Sequence, residues 1–102
     1  MISRHWHAIA KRDRAADYVR HLQTETFPAI GKIPGFVSAS IQRRDGARGV
    51  ELIIITNWES MESIRKFAGP DPEIAVVPSV VQAMMVDFDG RVRHYEVVSS
   101  PK

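Results

Sequence analysis

The side chains best suited to chemistry in this chain are four histidines and two tryptophans, and there is no cysteine among them. His94 lies mid-way along a strand-like run, with Tyr95 and Glu96 beside it. An imidazole titrates near neutrality, so a histidine lining a pocket can move a proton at ordinary pH. Trp58 closes an apolar run just before a helix signal, where an indole can wall a space between helix and sheet. Asn57 adjoins it and offers an amide to orient a polar ligand. Trp6 can play the same walling part from the first strand. His5 and His7 are two apart, which puts them on one face of a strand and within reach of a shared metal. A metal site needs a third or fourth ligand, and no HxxxH or HxxE pattern supplies one, so no metal is expected. Lack of cysteine removes disulfides, zinc–thiolate sites and a cysteine nucleophile together. There is no phosphate-binding loop, no GxGxxG and no nucleophile elbow, and no serine has a nucleophile's surroundings. What remains is a pocket of aromatics with a histidine and room for an arginine.

The elements that must position these residues fit in one domain, residues 1–102, since a chain of 102 residues makes a single modest core. A hydrophobic share of 44% with 25% charged residues is ordinary for a globular protein and too apolar for disorder. The net charge is +2, and the basic residues are scattered from Arg4 through Lys11, Arg12 and Arg14 to Arg91 and Arg93. No run is dense enough for a nucleic-acid partner, and Arg43-Arg44 reads as a solvated hairpin tip. No stretch approaches the ~20 apolar residues of a membrane span. Residues Met1 to Trp6 lack the apolar run of a signal peptide, so a soluble cytoplasmic protein with no membrane partner is expected.

Residues 2–10 alternate as a strand, with Trp6, Ala8 and Ala10 on one side and His5, His7 and Ile9 on the other. Asp13 is a candidate N-cap for a helix carrying Ala15, Tyr18, Val19 and Leu22 at helical spacing, with Phe27 extending the stripe and Pro34-Gly35 ending it. Residues 36–44 alternate again, and the polar, glycine-rich stretch Asp45–Gly49 turns the chain into a strand over 50–58. Ser60 caps a second helix with Met61, Ile64, Phe67 and Ala68 on its apolar stripe, stopped by Gly69-Pro70. Between 70 and 90, Val80, Val81, Met84 and Met85 predict a short extra helix. After the turn at Asp89-Gly90, a final strand is predicted from Arg91 to Val98.

The order β-α-β-β-α-β predicts a ferredoxin-like α+β fold: a four-stranded antiparallel sheet with both helices on one face. Leu52 and Ile54 point to one side of the third strand and Ile53 and Ile55 to the other, so the strand is apolar on both faces. A sheet face left to water should be polar. The helix-free face therefore predicts a cover, and a second copy of the chain is the simplest, giving a homodimer of the α/β-barrel type. The competing expectation is that segment 70–90 folds over that face.

The stretch Ile33-Pro34-Gly35-Phe36, the run Thr56-Asn57-Trp58-Glu59-Ser60 with Ile64 and Phe67-Ala68-Gly69, and the ending Val92-Arg93-His94-Tyr95-Glu96-Val97 resemble the antibiotic biosynthesis monooxygenase superfamily over nearly the whole chain. The resemblance implies a dimeric ferredoxin-like domain and an activity on a small molecule. Some members of that superfamily oxidise polycyclic aromatics with molecular oxygen and neither metal nor flavin, and some degrade haem. The haem-degrading pattern needs an asparagine on the first strand, a tryptophan in the second helix and a histidine soon after it. This chain has none of these, and carries Phe67 in the second helix. The implied function is a cofactor-independent monooxygenase of an aromatic or electron-rich small molecule. His94 and Asn57 are its candidate catalytic residues, and Trp58, Trp6, Tyr18 and Phe67 its candidate substrate-binding residues. The alternative is a non-catalytic, small-ligand-binding or stress-related dimer of the same fold. No feature of the sequence names the substrate.

Overall fold

The computed structural model describes residues 1–102. Strand β1 (Ile2–Ala10) is the centre of the sheet, because its alternation gives it two usable faces and both its edges are paired. On one side it runs antiparallel to β3 (Val50–Trp58) without a break, from Ile2 opposite Trp58 to Ala10 opposite Val50. Beyond β3 lies β2 (Phe36–Asp45), with a bulge between Phe36 and Ser38. On its other side β1 pairs with β4 (Met85–Phe88) at one end and with β5 (Arg93–Glu96) at the other. The sheet is antiparallel throughout, and the fourth strand position of the ferredoxin-like pattern is filled by these two pieces.

That split departs from the predicted single strand over 91–98. Asp89 still donates its N–H to the His7 carbonyl at 3.0 Å, and its own carbonyl takes the indole N–H of Trp6 at 2.7 Å. The next residues turn to a different partner. Ala75 donates to the Gly90 carbonyl at 2.9 Å, and Val92 donates to the Glu73 carbonyl at 2.7 Å. A backbone amide serves one ladder at a time, so residues 90–92 leave β1 and return to it only at Arg93.

The first helical stretch is α1 (Ala15–His21), a π turn over Leu22–Thr26, and α2 (Phe27–Ile30). Two local causes favour the π turn. Pro28 has no N–H to give the Thr24 carbonyl, and the Thr24 hydroxyl occupies the Arg20 carbonyl at 2.8 Å. The expected Asp13 cap does not form: Arg14 holds the N-cap position with no side-chain cap bond. The second helix, α3 (Met61–Ala68), starts as expected, with the Ser60 hydroxyl accepting from the Ser63 N–H at 3.2 Å. Its entry is held by Gly35. At φ +96°, a Cβ on that residue would lie 1.9 Å from the Ser63 hydroxyl, so only glycine admits the contact. The extra helix α4 is shorter than predicted, Ser79–Gln82, and Met85 already belongs to β4.

All helices lie on one face. Ala15, Tyr18 and Leu22 share a buried cluster with Trp6, Ala8, Ala10, Leu52 and Ile54, while Ile30 and Ile64 close around Trp58. Segment 70–84 also stays on this side: Val81 and Met84 join the first cluster. The expectation that it covers the opposite face is therefore not met. Ile53 and Ile55 are left half-buried there beside exposed Val37, Val86 and Tyr95.

Candidate functional site

Parity along β1 and β3 decides what faces the helices. Arg4 and Trp6 on β1, and Ile54 and Thr56 on β3, point inward with Tyr18, Leu22 and Phe27 above them and Phe67 to one side. Between them is a narrow cavity of about 70 Å³, walled almost wholly by apolar groups. A wider recess of about 340 Å³ continues outward between α2, α3 and Val76. Thr26, Ile30, Phe67 and Val76 wall both spaces, so the second is the mouth of the first. The π turn contributes Leu22 and Thr26 to this wall, and such turns recur at functional sites because they widen the helix locally.

Arg4 is the one charged residue lining the inner cavity, and it is 5% exposed. Its guanidinium is clamped by the Pro72 carbonyl, by the Ile74 carbonyl at 3.2 Å and by His94 Nε2 at 2.9 Å. It sits 5.6 Å from the centre of the Phe67 ring. No carboxylate pairs with it: the ion pairs of the protein all lie among other residues. Burial lowers its pKa to about 10, which still leaves it charged at neutral pH.

A guanidinium only donates, so His94 Nε2 accepts from Arg4 and the imidazole proton resides on Nδ1. Burial first, then the Arg4 charge, hold His94 below the ordinary histidine pKa, with Glu73 opposing them. The residue is therefore a neutral ring whose lone pair is spent on fixing Arg4. Tyr18 is 3% exposed, and burial pushes its phenol pKa well up, so it stays a neutral hydroxyl. Its ring meets Trp6 edge-on at 6.0 Å.

The residues singled out from the sequence divide into three groups. Trp6, Tyr18 and Phe67 line the cavity, and His94 stands behind Arg4. Trp58 is completely buried one layer back: it stacks on Phe67 at 6.0 Å, packs edge-on against Phe36 at 5.3 Å, and gives its indole N–H to the Thr56 hydroxyl at 2.8 Å. It supports the wall without forming it. Asn57 points to the other face of the sheet, where its amide donates to the Ser38 hydroxyl at 3.1 Å. Residues adjacent in a strand face opposite ways, so Asn57 and Trp58 never shared a pocket. The cavity-lining residue that motif and spacing did not single out is Arg4. Its signal is parity: it shares the strand face of Trp6, Ala8 and Ala10, and arginine is almost never fully buried on such a face unless it has partners to hold it.

His5 and His7 lie on the open face. The Ser3 hydroxyl is 2.9 Å from His5 Nε2, and Tyr95 packs edge-on against His5 at 4.9 Å. No group of three or more His, Cys, Asp or Glu side chains is placed to hold a metal ion. No helix is long and apolar enough to cross a membrane.

No protein-family model and no curated protein matches the chain. Solved structures do. A Bacillus cereus protein proposed to be an antibiotic biosynthesis monooxygenase is similar at a TM-score of 0.70 and 20% identity, over 99% of this chain and 96% of its own. A Streptomyces coelicolor monooxygenase from the gene ActVA-Orf6, solved with nanaomycin D, is similar at a TM-score of 0.60 and 17% identity, over 99% of this chain and 91% of its own. The haem-degrader MhuD of Mycobacterium tuberculosis, solved with two haems, is similar at a TM-score of 0.58 and 17% identity, over the full length of both. With its antiparallel sheet, its helices on one face and these neighbours, the chain has the fold of the antibiotic biosynthesis monooxygenase superfamily.

Proposed function

We propose that the protein is a cofactor-independent monooxygenase of an aromatic or electron-rich small molecule. The observation that carries this is the cavity between sheet and helices, walled by Trp6, Tyr18, Phe27 and Phe67 and holding a single charge. Aromatic walls suit a flat ring, and exclusion of water protects a reactive carbanion. For an anthrone-like substrate, the ring CH₂ loses a proton to give an enolate. The enolate passes one electron to O₂, and the resulting radical pair joins through a new C–O bond. The peroxide takes up a proton; its O–O bond then breaks as the second C–H proton departs, leaving a carbonyl and water. One O₂ is consumed per substrate, and no other oxidant or reductant is needed. In this scheme His94 is a positioning residue that fixes Arg4, and Trp58 keeps Phe67 in place.

Haem does not fit the residues present. The α3 wall offers Phe67 where the haem-degrading pattern has tryptophan, and His94 already spends its Nε2 on Arg4.

The open sheet face supports a homodimer, because segment 70–84, the other candidate cover, lies on the helical side and Ile53 and Ile55 stay partly exposed. Light scattering at micromolar protein tests this, and a monomeric mass refutes it. Oxygen uptake with anthrone-like and quinol substrates, without added metal or flavin, tests the reaction. Oxygen and substrate lost in equal amounts, with a ketone formed, is the expected result. No turnover, with a native mass spectrum that retains a small ligand, favours the binding-protein alternative.

A further inference from the structure

Two polar atoms of buried residues in the cavity wall have nothing to bond to. Arg4 commits three of its five N–H groups, to Pro72, Ile74 and His94, and leaves one N–H of Nη2 and its Nε–H without an acceptor, so that Nε makes no hydrogen bond at all. The Tyr18 hydroxyl makes no hydrogen bond to protein. Every fully buried side-chain N or O atom in the structure does have a partner. These two atoms must therefore open onto accessible space, although their residues are only 5% and 3% exposed. The space both residues line is the inner cavity. An unpaired guanidinium kept out of water is costly, and rigid donors around an apolar cavity are what recognition of negative charge requires.

We infer that Arg4 and Tyr18 form a receptor for an anionic oxygen, so that the cavity selects aromatic ligands carrying an enolate, phenolate or carboxylate over neutral rings of the same shape. This rests on the reading of the cavity as the ligand site. The anionic oxygen sits in the inner space, accepting from the Arg4 Nε–H and from the Tyr18 hydroxyl. The apolar body extends past Thr26 and Phe67 into the recess of about 340 Å³. His94 makes the receptor rigid: a neutral acceptor holds the guanidinium in place without cancelling its charge, as a carboxylate would. Tyr18 contributes a donor that burial keeps protonated.

The test is binding of two matched probe pairs to the full chain: benzoate against benzamide, followed by ligand-observed NMR, and 4-nitrophenol against 4-nitroanisole, followed by absorbance. 4-Nitrophenol titrates near neutrality and reports its own ionisation. Its pKa is expected to fall by about 1–3 units when bound beside the guanidinium. Benzoate is expected to bind at least about tenfold more tightly than benzamide, the equivalent of one such unit. Tyr18→Phe and Arg4→Met are each expected to shrink these differences, and Tyr18→Phe, which removes only an unbonded hydroxyl, keeps the test informative if Arg4→Met fails to fold. Selectivity in one pair alone upholds the receptor and names the source of its oxygen. Equal binding of acid and neutral partner, no binding of either pair at millimolar concentration, or selectivity untouched by the folded variants overturns it. Anion-selective binding without oxygen uptake removes the oxygenase reading and leaves the receptor. Oxygen uptake with no preference for anions does the reverse.

Discussion

Replacing Arg4 by methionine separates a functional from an architectural arginine. The substitution deletes three hydrogen bonds from a charged donor, to the Pro72 and Ile74 carbonyls and to His94 Nε2. Such bonds contribute about 1.5–3 kcal/mol each. Pro72 is half-buried and Ile74 exposed, so water can take over their carbonyls, which puts the loss near the low end, at about 3–5 kcal/mol in all. Against this stands the cost of keeping an unpaired guanidinium out of water, several kcal/mol after relaxation. Methionine is apolar, flexible and similar in length, and can lie along Phe67 in the vacated space. The two terms nearly cancel, and Arg4→Met is expected to change stability by no more than about 2 kcal/mol in either direction. Urea unfolding followed by tryptophan fluorescence measures this, with the midpoint compared at unchanged slope. Oxygen uptake should fall in the same variant. A loss above about 3 kcal/mol refutes the reasoning, because that is what removing one member of a well-compensated buried pair costs. In that case Arg4 is chiefly a clamp on segment 72–74.

Three further outcomes are expected. His94→Gln keeps an acceptor for Arg4 in its amide oxygen and should retain most of the activity, whereas His94→Ala should lose about tenfold or more in kcat/KM; equal losses in both would mean that the imidazole itself takes the proton. His94 and His5 are both held below the ordinary value of 6.5, chiefly by burial, so the unfolded chain takes up protons first. Stability should be full above that value and decline as the pH falls below it, and a melting temperature that is flat or rises toward pH 5.5 would contradict the sign. Gly35→Ala forces a side chain into a backbone at φ +96° and against Ser63, and should lower stability by more than about 1 kcal/mol by thermal melting. No change would mean that the entry to α3 moves aside freely.

Most of the fold is governed by short-range rules, which is why it could be read from the chain. Alternation assigned the faces of β1 and β3, because a pleated strand has a period of two. Gly69-Pro70 marked the end of α3, whereas the first helical stretch stops at Ile30, short of the expected Pro34-Gly35, and Ser60 began α3 because its hydroxyl reaches the Ser63 N–H. The same period placed Asn57 and Trp58 on opposite faces and Arg4 on the face of Trp6. That information was in the sequence, although neighbourhood in the chain was the more tempting guide.

Other features needed the tertiary structure, because their partners come from far along the chain. The last strand is split because residues 90–92 find the backbone of 73–75, a segment with no periodic signal of its own. The direction in which 70–84 folds, and so the exposure of the helix-free face, depended on which surface Val81 and Met84 could reach. Trp58 became a support behind Phe67 only when α3 was laid against the sheet. The sequence by itself determined an antiparallel sheet with helices on one side and an inward-facing arginine at position 4. Only the tertiary structure decided that this arginine meets two carbonyls and a neutral histidine instead of a carboxylate, because its partners lie some 70 and 90 residues away, and that choice of partners leaves its charge uncancelled beside the cavity.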